Sequence, residues 1–100
     1  MGFKIAFTKP AVAGLEGLVS FIARDNPQAA ERFGYAIIEK AEKLDGFALL
    51  GRVVPEFKIE NIREIIHRPY RIVYRVQEQQ NLIEILRVWH AARGIPKITE

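Results

Sequence analysis

Arginine is the residue type whose spacing most clearly suggests chemistry in this sequence. Residues 52–100 carry nine basic and six acidic side chains, and seven of the nine bases are arginine, whereas residues 1–51 carry six of each sign. Arg71 and Arg75 alternate with apolar residues along Tyr70–Val76, so they should share one face of a strand. Because a guanidinium presents a planar fork of N–H donors, such a face suits a phosphate or a carboxylate.

We expect a basic functional face formed by Arg52, Arg63, Arg71, Arg75 and Arg93. This face would either bind a phosphate-bearing or acidic partner, or be a solvated surface with scattered ion pairs, and charge alone leaves both interpretations open. Arg71 is the strongest functional candidate, because in the middle of a strand its charge must point to water or to a partner.

Length and composition restrict the class of protein. The chain has 100 residues, which predicts one domain spanning residues 1–100, and its content of 49% hydrophobic and 27% charged residues is typical of a soluble globular protein. There is no cysteine, and neither of the two histidines has a partner histidine nearby, so we expect no metal and no cofactor. No apolar run approaches the length of a membrane span, and a cytoplasmic location follows by default.

The first half of the chain predicts a strand followed by a helical hairpin. The strand is Phe3–Phe7, and Thr8 caps a first helix that ends near Arg24. Asn26 caps a second helix of about Pro27–Leu44, since proline is favoured in a first helical turn. Gly14 and Gly17 weaken the first helix by about 1 kcal/mol each, which suggests that another element approaches closely there.

The second half predicts an antiparallel meander. After an irregular stretch, residues 45–61, two strands join at His67-Arg68-Pro69, and a turn at residues 78–81 leads to a last strand from Leu82 to about Trp89. Tyr74 and Trp89 are expected in the core. The fold class is therefore α+β in the order β-α-α-β-β-β, with the helical hairpin packed on one face of a small, mainly antiparallel sheet.

Short motifs in this order resemble the RelE/ParE superfamily of bacterial toxins over nearly the whole chain. They are Asp25-Asn26-Pro27-x-Ala29-Ala30, Gly51-Arg52-x-Val54-Pro55-Glu56, Ile62-Arg63-Glu64-Ile65, Tyr70-Arg71-Ile72-Val73-Tyr74-Arg75-Val76 and Val88-x-His90-x-x-Arg93. The first of them resembles the ParE-like plasmid-stabilisation branch. The resemblance implies a toxin that forms a hetero-oligomer with a cognate antitoxin, which neutralises it.

Two mechanisms are implied by that superfamily. One is metal-independent cleavage of messenger RNA on the ribosome, which needs a base, a cation and an acid at one phosphate. The residues that match one ribonuclease branch are Glu56, Arg71 and His90. The other is inhibition of DNA gyrase by binding, as in ParE-type toxins.

The residues beside the terminal histidine favour the gyrase mechanism. Ribonuclease members usually carry an aromatic residue or extra bases there, but Ala91 and Ala92 follow His90, and the loop before the sheet has Lys58 as its only lysine. We therefore expect DNA gyrase as the target, with ribosome and messenger RNA as the alternative. A homologue that binds partners but has lost toxicity is a third interpretation.

Each candidate also has a structural interpretation. Glu56 would pair with Arg52 or the Arg63 strand and hold a loop, and His90 would be a hydrogen-bonded anchor. Arg63 would pair with Glu64 or Glu84 across the sheet.

The antitoxin is expected to bury apolar residues that the predicted core does not use. They are Ile38, Leu49 and Leu50.

Overall fold

A five-stranded sheet forms one layer of the structure, a computed structural model that describes residues 2–99. Its strands are β1 (Lys4–Phe7), β2 (Arg52–Val53), β3 (Ile62–His67), β4 (Tyr70–Gln77) and β5 (Leu82–His90). The order across the sheet is β1-β5-β4-β3-β2, with β1 parallel to β5 and the other pairs antiparallel. Met1 and Glu100, the ends of the predicted domain, lie outside the described residues.

The second layer is a helical hairpin on one face of the sheet. It consists of α1 (Lys9–Ala23) and α2 (Pro27–Glu42). Both predicted caps are present: Thr8 Oγ1 accepts a hydrogen bond from the backbone N–H of Ala11 at 3.3 Å, and Asn26 Oδ1 accepts one from Ala29 at 3.0 Å. The α+β arrangement predicted from the sequence is confirmed, with β2 as a fifth, two-residue strand that the sequence did not predict.

The main core lies between the helices and the sheet. Its buried residues are Ala11, Leu18, Ile37, Ala41, Leu44, Ile72, Tyr74, Val76, Ile83, Ile85 and Val88. Tyr74 is therefore a core residue, as predicted. Its buried hydroxyl is fully hydrogen-bonded: it donates to the carbonyl of Ala48 at 2.8 Å and accepts from the N–H of Gly51 at 2.9 Å.

The opposite face of the sheet carries a second, smaller core, so it is not the open charged surface that the sequence predicts. Val54, Ile62, Val73 and Leu86 are buried there. Phe57, from the irregular stretch, and Ile98, from the C-terminal segment, pack over them. Arg87 holds that segment by donating hydrogen bonds to the carbonyls of Lys97 and Thr99.

A bulge in β5 changes which of its residues face the helices. Val73 pairs with Arg87 and Tyr74 pairs with Ile85, so Leu86 is the extra residue. Ile85 faces the helices before the bulge, and Val88 faces them after it. The alternation of the strand is thus shifted by one residue over its last four residues, 87–90.

Only one of the two glycines of α1 marks a close contact between elements. A Cβ added at Gly14 would lie 2.6 Å from the carbonyl oxygen of Val88 in β5, whereas a Cβ added at Gly17 would meet no atom within 4 Å. The close approach that the sequence suggested is confirmed at Gly14 and is wrong for Gly17. Gly14 lets the helix backbone contact the strand directly.

Alanine should therefore have opposite effects at these two positions. Gly14→Ala forces α1 away from β5 and should lower the free energy of unfolding by about 1–3 kcal/mol. Gly17→Ala adds a methyl group in open space and should raise it by about 0.4–1 kcal/mol, because alanine restricts the unfolded chain and favours helix. Urea denaturation of both variants measures the difference, and equal shifts would contradict the α1–β5 contact.

Candidate functional site

Four side chains of alternating charge form a continuous chain of ion pairs on the sheet face away from the helices. Arg71 donates from Nη1 and Nη2 to the two carboxylate oxygens of Glu56 at 2.9 and 2.6 Å, and from Nε to Glu64 Oε1 at 2.6 Å. The other oxygen of Glu64 accepts a hydrogen bond from Arg52 Nε at 2.8 Å, and it lies 2.8 Å from Arg52 Nη2. We call this chain of Glu56, Arg71, Glu64 and Arg52 the charge network.

The strands and the second core position the charge network. Arg71 lies opposite Ile66 and Glu64 lies opposite Val73, so the two side chains are diagonal neighbours on one face of the β3–β4 pair. Glu56 comes from the irregular stretch, where Val54 and Phe57 on either side of it pack into the second core. Two apolar anchors thus hold its carboxylate over Arg71.

Burial at the centre of the network contradicts the predicted exposure of Arg71. Arg71 is 7% exposed and Glu64 is 1% exposed. The reason is that the irregular stretch and the residues after β5 cover this face: the carbonyl of Gly94 lies 3.2 Å from Trp89 Nε1 and 3.5 Å from Arg71 Nη1. A mid-strand charge can be buried here because two carboxylates pair with it.

The contact between Glu56 and Arg71 shifts the pKa values of these two groups in opposite directions. The hydrogen bonds from Arg71 lower the pKa of the Glu56 carboxyl below its usual value, against the opposing effect of desolvation. The same hydrogen bonds raise the pKa of the Arg71 guanidinium further above its already high value. Glu56 is therefore ionised at neutral pH, and a carboxylate with a lowered pKa is a weak general base.

His90 does not join the other two predicted catalytic residues. It pairs with Tyr70 in the sheet, whereas Arg71 pairs with Trp89, so the side chains of His90 and Arg71 point to opposite faces. The imidazole lies edge-on to the Tyr70 ring with 5.0 Å between centroids, and its Nδ1 accepts a hydrogen bond from the N–H of Ala92 at 3.0 Å. This is the geometry of a hydrogen-bonded anchor.

The remaining arginines of the expected basic face are divided between different locations. Arg63 lies opposite Tyr74 in the sheet, so its side chain is on the helix side. It pairs with the carboxylate of Glu60 at 2.7 Å. The predicted pairing with Glu64 or Glu84 is therefore wrong. Its Nη1 also donates to the carbonyl of Gly51 at 3.0 Å, which makes it a clamp for the preceding loop.

Two further arginines make separate contacts at the sheet ends. Arg75 pairs with Glu84 on the neighbouring strand at 3.2 Å. The Arg93 guanidinium stacks over the Trp89 ring at 3.8 Å from its centroid. The expected face is therefore a set of separate pairs, of which only Arg52 and Arg71 belong to one network.

The three predicted antitoxin contacts do not share one cavity. Ile38 lines a shallow apolar groove between α1 and α2. Leu49 and Leu50 lie in the loop after α2 and are 62% and 59% exposed. The Tyr74 hydroxyl and Arg63 fix the backbone of that loop at Ala48 and Gly51, so its leucines are held outward.

Sequence reasoning missed two residues of this region. Glu64 is the buried centre of the charge network, and its position two residues from both Ile62 and Ile66 was the signal that it shares their face. Arg68, at the β3–β4 turn, is exposed and makes no ion pair or side-chain hydrogen bond within residues 2–99. An arginine in a hairpin turn with no acidic neighbour was the signal for it.

Neither a metal cluster nor a membrane helix occurs in the part of the chain that the structure describes. Across residues 2–99, no three histidine, aspartate or glutamate side chains converge as metal ligands would. Over the same range, no helix is both long and apolar enough to cross a membrane.

Comparisons with known proteins identify related sequences and folds. Residues 5–95 match the family described as the ParE toxin of the type II toxin–antitoxin system parDE. Among curated proteins, no sequence matches the chain. A chain of the chromosomal ParDE toxin–antitoxin system from P. aeruginosa superposes with a TM-score of 0.71 at 23% identity, covering 88% of this chain and 95% of that one. A chain of the toxin–antitoxin complex RelBE2 from Mycobacterium tuberculosis superposes with a TM-score of 0.67 at 24% identity, covering 90% and 99%.

Replacing Arg71, at the centre of the charge network, should lower the free energy of unfolding far more than replacing the more exposed Arg75 of the same strand. Arg71→Ala leaves the buried Glu64 carboxylate without its closest partner and should lower the free energy of unfolding by about 3–5 kcal/mol. Arg75→Ala breaks a pair whose side chains are 33% and 26% exposed, and should cost at most about 1 kcal/mol. Urea denaturation tests both variants, and a similar small loss in each would contradict a stabilising network.

The stabilising effect of Glu56 should depend on pH. Its folded-state pKa is lowered from 4.5, so the unfolded chain takes up the proton first as the pH falls. The stability difference between the wild type and Glu56→Gln should be complete above pH 4.5 and should shrink as the pH falls through the lower, folded-state pKa. Denaturation midpoints measured across this range test the sign, and Glu78→Gln, at an exposed position outside the network, controls for the lost charge.

Proposed function

Because the chain belongs to the family of ParE toxins of type II toxin–antitoxin systems, we propose that it inhibits DNA gyrase and that a cognate antitoxin neutralises it. Inhibition would occur by binding, without cleavage of RNA. A cytoplasmic location, where gyrase works, is part of this proposal.

The position of His90 is the observation that favours binding over RNA cleavage. Ribonucleolytic cleavage needs a base, a cation and an acid within reach of one phosphate. Glu56 and Arg71 lie together, but the His90 side chain points to the opposite sheet face and its Nδ1 is engaged with the backbone. No phosphate on the Arg71 face could receive a proton from it in this arrangement.

The existing hydrogen bonds of Arg71 support the same proposal. Its Nε and both Nη atoms already donate to carboxylates at 2.6 to 2.9 Å. A phosphate would have to displace Glu56, and it would then face the buried negative charge of Glu64. A cation that stabilises a crowded phosphate acts best when its donors are aimed at the reacting group beforehand.

An antitoxin is the natural occupant of the exposed apolar side chains. Leu49 and Leu50 protrude from a fixed loop, and Ile38 lines the groove between the helices. A protein partner that covered these side chains would remove their apolar surface from water. We propose that the antitoxin covers these residues in a hetero-oligomer.

The contact between Glu56 and Arg71 favours a second candidate, a ribosome-dependent messenger RNA endoribonuclease. All three matching residue types are present, and two of them are in direct contact. This candidate requires a rearrangement that brings His90 to the Arg71 face. The non-toxic homologue is a third candidate, for which normal growth on expression without antitoxin would be evidence.

Two assays on the purified chain separate the first two candidates. We expect it to inhibit DNA supercoiling by gyrase and to leave messenger RNA intact on ribosomes. His90→Ala should retain gyrase inhibition within about twofold, because the proposal gives this side chain no chemical role. Ribosome-dependent cleavage that His90→Ala abolishes would overturn the proposal. Arg71→Ala is a poor functional probe, since it removes the centre of a buried network.

A further inference from the structure

A cavity of about 360 Å³ opens at the β3–β4 turn, beside the charge network. Its cationic wall is formed by Arg52, Arg68 and Arg71, and its apolar wall includes Ile66 and Pro69. Glu56 is the acidic residue of the lining. We call this space the turn cavity.

We propose that the turn cavity docks an acidic, partly apolar peptide segment of a protein partner, with Arg68 as the exposed anchor for a carboxylate. Neither membership of the family nor inhibition of gyrase assigns a role to Arg68. Binding of an acidic segment here does not require that the protein inhibit gyrase.

The contact of Glu56 with Arg71 indicates that the arginines of the turn cavity can bind carboxylates. Its carboxylate meets the Arg71 fork in a bidentate pair, the planar geometry in which guanidinium groups bind carboxylates. The wall of the turn cavity is therefore already built around one carboxylate from the chain itself. A second carboxylate could pair with the exposed Arg68, which lines the same cavity.

The charge balance favours a short acidic segment over nucleic acid. Three arginines line the cavity, while Glu56 lines it and Glu64 lies buried behind Arg71, so one positive charge remains. Nucleic acid presents a row of phosphates and binds tightly only where several cations neutralise them. One net positive charge matches a single carboxylate.

The apolar wall adds the second requirement on the partner. Ile66 is 39% exposed although it lies within a strand, and Pro69 beside it is also exposed. An apolar residue next to the acidic one in the partner segment would bury these side chains. A purely charged ligand would leave them in contact with water.

Arg68 is the arginine of the turn cavity that pairs with no acidic side chain in residues 2–99. Among the other arginines of residues 52–100, five donate hydrogen bonds to protein groups, namely Arg52, Arg63, Arg71, Arg75 and Arg87. Arg93 stacks on Trp89. Arg68 has neither kind of contact with any described residue, so pairing it with a partner breaks no existing bond.

Titration of the ¹⁵N-labelled full chain tests the proposal with three defined probes. They are a hexapeptide of alternating aspartate and leucine, the same peptide with lysine for aspartate, and hexathymidylate. We expect only the acidic peptide to shift the amide signals of Arg68, Tyr70 and Ala91 in a saturable way. Arg68→Glu should weaken its binding at least tenfold and Arg68→Lys by less than about threefold, as for loss and retention of a charge-assisted contact.

Arg32→Glu is the matched control, since it makes the same charge change at an exposed arginine of α2 and should leave the affinity nearly unchanged. Equal losses in Arg68→Glu and Arg32→Glu would mean that only net charge matters and would overturn the proposal. Tighter binding of hexathymidylate at the same amides would overturn it in favour of a phosphate ligand. Absence of saturable shifts with the acidic peptide would also overturn it.

Discussion

The bidentate pair between Arg71 and Glu56, extended through Glu64 to Arg52, is the interaction on which this face of the protein depends. A guanidinium in the middle of a sheet is costly to bury unless its donors are satisfied. Glu64 satisfies it from the neighbouring strand, and Glu56 does so from a loop that Val54 and Phe57 anchor in the second core. The loop, the C-terminal segment and the strands are thus arranged around one cation.

This arrangement decides what the face can do. Two carboxylates pair with Arg71, so the charge network acts as an ion-pair structure. The contact with Arg71 lowers the pKa of Glu56, which makes this carboxylate a weak general base. The surface that remains available is the exposed rim: Arg68 with its apolar neighbours, and the leucines of the loop that Tyr74 holds. These features agree with the proposed binding function, since arginine is enriched at protein interfaces.

Much of the fold could be predicted from local patterns. The Thr8 and Asn26 caps, the helical hairpin and the core position of Tyr74 follow from residue types and spacing. The site was harder to predict. Arg71 was expected in water because alternation shows that a residue lies on the second face, but it does not show that a loop and a C-terminal segment cover that face.

The sequence by itself determined the two helices, four of the five strands, the caps, the mainly antiparallel sheet and the presence of Glu56, Arg71 and His90. Only the tertiary structure decided which of these residues meet. The deciding feature is the bulge at Leu86: simple alternation from Ile83 and Ile85 would place His90 on the same face as Arg71, but one extra residue reverses the direction of every later side chain. A bulge is a property of the pairing between β4 and β5, so it cannot be read from either strand alone.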